Sequence, residues 1–280
     1  MSMSNKTKAR MMRGAVYAAA GFTVCVLVLM VGYILIRGIP NLSPELFAWE
    51  YNSQNVSLMP ALVNTLFMTA LSLLFAVPLG VGAAIYLNEY ARRGSRLVKL
   101  VRLTAETLSG IPSIIYGLVG SRFFVVALKL GLSLRSGALT LSIMVLPLVM
   151  RTTEEALAAV PDSYREGSFG LGAGRLRTTF RVVLPAAAPG ILGGVILAIG
   201  RIVGETAALI YTAGTVPEIA GSLMDSVRTL SVHMYAISTE GLYLKQSYAT
   251  AVVLLVIVIG INALSTFAAG RLGGNKHGKI

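Results

Sequence analysis

Six apolar runs, at residues 14–36, 61–87, 103–130, 137–150, 186–211 and 248–269, dominate this chain and limit what it can fold into. About 20 apolar residues cross the roughly 30 Å hydrocarbon core of a bilayer as a helix. In lipid a spanning segment must satisfy its own backbone hydrogen bonds, so runs of this length are helices. The pattern predicts an all-α polytopic membrane helix bundle with six transmembrane helices, of which 137–150 is short for a span. Lys6, Lys8, Arg10 and Arg13 precede the first run. A cleaved signal peptide also starts basic, but its apolar region is only about 7–15 residues, so 14–36 is read as a retained helix.

The composition is 55% apolar and 13% charged with a net charge of +12, which excludes an ordinary soluble domain. A basic protein raises the question of nucleic acid. Here the cations cluster at the ends of apolar runs with no aromatic–basic surface between them, so no nucleic-acid partner is expected. With the N-terminus inside, seventeen Lys and Arg fall in inside segments and five outside: Arg37, Lys129, Arg135, Arg228 and Lys245. That asymmetry places both termini and the segment 151–185 in the cytoplasm. Cys25 is the single cysteine and lies in an apolar run, so no intrachain disulfide forms. His233 and His277 lack partners at ligand spacing, so no metal and no cofactor is expected.

The polar interruption 151–185 carries Arg151, Arg165, Arg175, Arg177 and Arg181 and has the pattern of folded structure rather than a slack linker. Thr153 reads as an N-cap ahead of strong helix formers, and Pro161 stops that run. Ser163 with Glu166 fits a capping box for a second short helix. Gly170, Gly172 and Gly174 break it, and a third helical run climbs to Leu184 and Pro185. Outside, Ile219, Leu223, Val227, Leu230 and Met234 recur at helical spacing, predicting either an interfacial or re-entrant helix facing a docked external partner or a stripe packed on neighbouring spans.

Two charges stand out inside the fifth run. Arg201 and Glu205 are four apart, so a continuous helix would put them on one face, able to pair. A charge in a span costs about 2.5–3.5 kcal/mol on insertion scales and therefore needs a reason. Either the pair lines a path for an anion, the guanidinium fork suiting phosphate oxygens, or it is a structural ion pair between helices. Gly200 and Gly204 form a GxxxG on which another helix could pack closely. Arg122, in the third run, reads as a second anion contact or as a side chain snorkelling outward. No GxxxxGK[ST] signature exists, so any ATP would be hydrolysed by a partner, and the spans hold no enzymatic constellation.

Glu166, Gly167 and Ser168, then Gly172, then Val182, Leu184 and Pro185 resemble the EAA loop of ABC-importer permeases at every anchor, with Gly167, Ser168 and Val182 as small-for-small and branched-for-branched departures. Arg201-x-x-Gly-Glu-Thr-Ala after this loop, Arg151-Thr-Thr-Glu-Glu-Ala at its start and Ser109-Gly-Ile-Pro-Ser-Ile-Ile-Tyr-Gly before it resemble the PstA-type permeases of phosphate-specific importers. Ala208 stands where that family's pattern leads one to expect proline. The resemblance implies a MetI-like fold in a bacterial inner membrane, a permease domain at 59–270 after an N-terminal helix and external segment 1–58, and a basic tail 271–280. It further implies that the loop docks on a cytoplasmic ATP-binding dimer (PstB-type). A PstC-type permease would be the heterodimer partner, and a PstS-type phosphate-binding protein would deliver substrate from outside. By the same resemblance Arg201 and Glu205 match the pair implicated in phosphate passage. An importer for another oxyanion or small solute is the other reading of the same architecture.

Overall fold

The structure, a computed structural model, describes residues 5–92 and 94–273. Arg93 and the tail beyond Gly273, with Lys276, His277 and Lys279, lie outside the described residues. Backbone that must bond to itself in lipid folds as helix. The runs become α1 (Asn5–Gly38), α2 (Met59–Ile85), α3 (Arg96–Ser109), α4 (Ser113–Gly120), α5 (Leu134–Ala158), α6 (Asp162–Gly170), α7 (Arg175–Thr178), α8 (Leu184–Val203), α9 (Ala207–Ile210), α10 (Leu230–Thr239) and α11 (Leu244–Gly273). Among the described residues five stretches are long and apolar enough to span, and a sixth counts if the bent pair α3–α4 is one span.

The core sits where α2, α5 and α8 pack, with Met68, Leu141, Met144, Val149, Ile202 and Leu209 buried together. A second cluster, around Ala84, Leu157, Val160, Val183 and Ala187, closes the end nearer α6. Helix α1 stands apart. Its C-terminal part packs on α11, where the Tyr33 and Tyr248 hydroxyls are 3.3 Å apart and Gly38 is buried against the Tyr248 backbone, while the preceding turns leave their apolar surface open.

Several local expectations need correction. The third run is not one straight helix: it bends by 102° between Ser109 and Ser113, where Pro112 takes an extended backbone that no helix continues through. The fourth run is full length. Ser133 caps α5 by accepting from the Ser136 N–H at 3.2 Å, and the helix continues past Met150 to Ala158. Thr153 therefore starts nothing; it is a buried mid-helix residue, and Arg151 pairs with Glu155 at 3.0 Å one turn on. The capping box at Ser163 is absent as well, because α6 begins directly after Pro161 with no side-chain cap.

The stripe 219–234 does not form one helix, since only α10 is helical there. The segment 211–229 is instead an ordered loop sewn to the start of α5. The N–H groups of Ser133, Leu134 and Arg135 donate to the carbonyls of Thr212, Asp225 and Leu223 at 3.1, 2.9 and 3.0 Å. These are among the donors a helix start leaves without intrahelical partners. Asn64 on α2 clasps the same loop, donating to the Glu218 carbonyl at 2.7 Å and accepting from the Ala220 N–H at 3.0 Å.

Candidate functional site

The polar corner between α5 and α8 is presented outward on α6. No residue of α6 is buried, and Tyr164, Phe169, Leu171 and Leu176 show large apolar surface around its tip. Glu166 and Gly167 lie on this exposed face. Gly172 turns the chain back at φ +81, a conformation that costs a side chain dearly and glycine little. Ser168, one of the departures from the loop pattern, has a use that alanine could not serve: its hydroxyl is 2.8 Å from that of Thr178 across the turn. Val183 is buried while Val182 and Leu184 are half-buried. Pro185 opens α8 just after a π-helical turn, Thr179–Val183, a widening that suits a ring which would clash with the carbonyl four residues back.

What the sequence did not point to is the anchor of this corner. Arg165 of α6 forms an ion pair with Glu89, in the π-helical turn Tyr86–Tyr90 that extends α2, at 2.7 Å. Glu89 lies 76 residues away, and its only signal was being the lone acid ahead of a cationic stretch. The side chains of Glu89, Arg92, Arg102, Arg165 and Arg175 line a cavity of about 740 Å³ beside the pair.

The second site is a break in the bundle after α8. The helix stops at Val203, so Arg201 and Glu205 do not share a helix face, and no ion pair between them is among the described salt bridges. Glu205 is buried and folds back locally: its carboxylate accepts from the Ala208 N–H at 3.1 Å, while its carbonyl accepts from the Ser231 hydroxyl at 2.5 Å. A proline at 208 would have no N–H to give. Across the break lies α4, where a Cβ on Gly117 would come within 2.8 Å of the Ala208 Cα, so only glycine allows this contact. The GxxxG is not used within the chain: Gly200 has open space before it, and Gly204 faces only the Gly200 carbonyl.

Arg201 is half-buried at the end of α8, and no hydrogen bond or ion pair is described for it. Arg122 is exposed in the π-helical stretch Ser121–Ala127 that extends α4, in a hollow of about 390 Å³ lined by Leu118, Val119, Phe123 and Ala127. Among the described residues neither Arg201 nor Arg122 has a hydrogen-bond or ion-pair partner, and Arg122 faces open space. Near the sewn loop, on α10, His233 is fully buried, and burial first and the Arg228 charge second lower its pKa to about 3. Arg228 lies over the Tyr51 ring at 4.6 Å.

Comparison with known proteins agrees with this architecture. Residues 76–273 match the family model for the binding-protein-dependent transport system inner membrane component. The chain is 31% identical over 255 residues to the probable ABC transporter permease protein YqgI of Bacillus subtilis, covering 86% of each. It is 31% identical over 261 residues to the phosphate transport system permease protein PstA of Haemophilus influenzae, covering 92% of each. The methionine ABC transporter MetNI, solved in inward-facing conformations, has a chain of the same fold at TM-score 0.57 and 19% identity, with 86% of this chain and 96% of that one covered.

Proposed function

Because the chain belongs to the family of binding-protein-dependent transport system inner membrane components, and so is a multi-pass ABC-importer permease of MetI-like fold, we propose that its substrate is inorganic phosphate. A separate ATPase would drive import through α6. The observation that carries this reading is the pairing of two features in one chain. One is an outward, apolar-tipped helix with a glycine turn at Gly172, and the other is an arginine, Arg201, with no hydrogen bond or ion pair among the described residues, at a break in the bundle. A guanidinium with free donors is suited to an oxyanion, and a half-buried one is not so desolvated that it would fail to release it.

Glu166, Gly167, Ser168, Gly172, Val182, Leu184 and Pro185 form the coupling loop in this reading, and residues 59–270 the permease domain. Arg201 is the anion contact, with Arg122 a second one, since the exposed face of one permease becomes a wall of a path shared by two. Glu205 keeps the break in shape beside them. The membrane in this reading is the bacterial inner membrane, with α6 on its cytoplasmic side, which the excess of cations in the inside segments supports. The companions are a PstB-type ATP-binding dimer, a PstC-type permease and an external PstS-type phosphate-binding protein. Relatives named as phosphate permeases at about a third identity favour this substrate over another oxyanion.

The test is uptake of labelled orthophosphate into cells or proteoliposomes carrying this chain, its companion permease and the ATPase. Uptake that needs ATP and the binding protein is expected. Uptake without ATP removes the importer reading, and ATP-driven uptake of a different oxyanion in preference to phosphate removes the substrate.

A further inference from the structure

We propose that Arg165 and Glu89 form the rivet through which movement of α6 reaches the rest of the bundle, making them positioning residues for transport; this rests on the reading of α6 as the docking helix. The Arg165 guanidinium meets both Glu89 oxygens, Nη2 to Oε1 at 2.7 Å and Nε to Oε2 at 3.3 Å, a forked geometry that fixes orientation as well as distance. Its remaining donors close the end of α5: Nη2 donates to the Leu157 carbonyl at 3.0 Å and Nη1 to the Val160 carbonyl at 2.8 Å. Nη1 also reaches Asp162 at 3.2 Å. One side chain therefore ties three elements: α6 that carries it, the last turn of α5, and the π-helical extension of α2.

Besides Arg165, α6 meets the short helix α7 that follows it through the hydroxyls of Ser168 and Thr178, 2.8 Å apart, which reach neither α2 nor α5. None of its residues is buried, and Arg165 and Ser168 alone in it are half-buried. The other described ion pairs of the region, Arg102–Glu154 and Arg151–Glu155, join α3 to α5 and α5 to itself and bypass α6. Arg165 is also sheltered, its side chain 16% exposed and that of Glu89 8%, so the pair escapes most of the screening that makes surface ion pairs weak. A push on α6 that left Arg165 bonded would carry α2 and α5 along. A push that broke the fork would leave Glu89 in a sheltered site without its cation, with only the Asn88 amide still donating to it at 2.9 Å, which is costly.

The test uses the whole transporter in proteoliposomes, with Cys25→Ser throughout. Three things are read: ATP hydrolysed per labelled orthophosphate imported, cross-linking of Leu171→Cys to the ATPase, and the spin-label distance between Leu171→Cys and Phe67→Cys on α2 with and without trapped nucleotide. Glu89→Gln keeps the two bonds of Arg165 to the α5 carbonyls, so the corner stays folded. It is expected to cross-link like the parent, to broaden the spin-label distance, and to raise the ATP used per phosphate about tenfold. Arg165→Lys keeps the charge but not the fork and is expected to move the same readouts in the same direction. A narrow distance and an unchanged ratio in Glu89→Gln, with cross-linking intact, overturn the rivet and leave α6 as docking helix. Parallel loss of assembly, hydrolysis and uptake in both variants also overturns it, since the pair would then only hold the corner folded. Absence of cross-linking in the parent removes the docking helix and this inference together. Should phosphate not be imported at all, the spin-label distance still decides the rivet.

Discussion

The Glu205 carboxylate holds the backbone N–H of Ala208 at 3.1 Å, across the break that separates α8 from α9. The bond makes a buried acid a local cap rather than the partner of Arg201, and the accepting oxygen can be kept while the acid is removed. Glu205→Gln keeps an acceptor at the same place and is expected to melt within a degree or two of the parent. Glu205→Ala is expected to cost about 1–2 kcal/mol, as loss of a helix cap does. Thermal unfolding of the purified complex checks both.

Arg201→Gln should abolish phosphate uptake while the complex assembles normally, because its guanidinium is bonded to nothing described in the fold. Co-purification of the companion subunits, measured beside uptake, separates the outcomes. A complex that falls apart would mean that Arg201 holds structure instead of contacting the anion.

Gly172→Val should uncouple hydrolysis from uptake. At φ +81 a β-branched residue is strained by about 1–3 kcal/mol, and the N–H of Gly172 that bonds to the Phe169 carbonyl at 2.9 Å would be displaced. Nothing lies within 4 Å of the position a Cβ would take, so crowding plays no part and the effect is conformational. Gly172→Asn, tolerant of this region, should retain more coupling than valine in an assay of ATP hydrolysed per phosphate imported.

His233 gives a pH signature. Its folded pKa, about 3, lies below the ~6.5 of an unfolded chain, so the unfolded state takes up the proton first. Its contribution is intact above pH ~6.5 and is lost as pH falls toward 3, by at most ~1.4 kcal/mol per pH unit. His233→Phe, similar in shape and without ring nitrogens to leave unpaired, should flatten the loss of melting temperature between about pH 7 and pH 5.

Most spans were legible from run length, though 137–150 looked short because α5 carries polar residues at both ends, and the outward corner was legible because Pro161 and Gly172 are strong local punctuation. The bend before α4 was written in Gly110 and Pro112 but was masked by the apolar run that continues on both sides. Spacing misled at Arg201 and Glu205, since four residues mean one face only while a helix lasts, and this one ends at Val203. Two features left no local trace. The loop 211–229 is held largely through backbone groups, which any sequence supplies, and Glu89 meets Arg165 from 76 residues away.

Helix α5 is fastened at both extremities, by the sewn loop at Ser133, Leu134 and Arg135 and by Arg165 at Leu157 and Val160. Its 25 residues measure roughly 37 Å, about the thickness of the sheet of lipid it crosses. A beam clamped at each end has no frayed turn in which to dissipate a load. Neither terminal turn of α5 can then unravel without breaking bonds to a different part of the chain, so its two ends are expected to exchange amide hydrogens about as slowly as its middle.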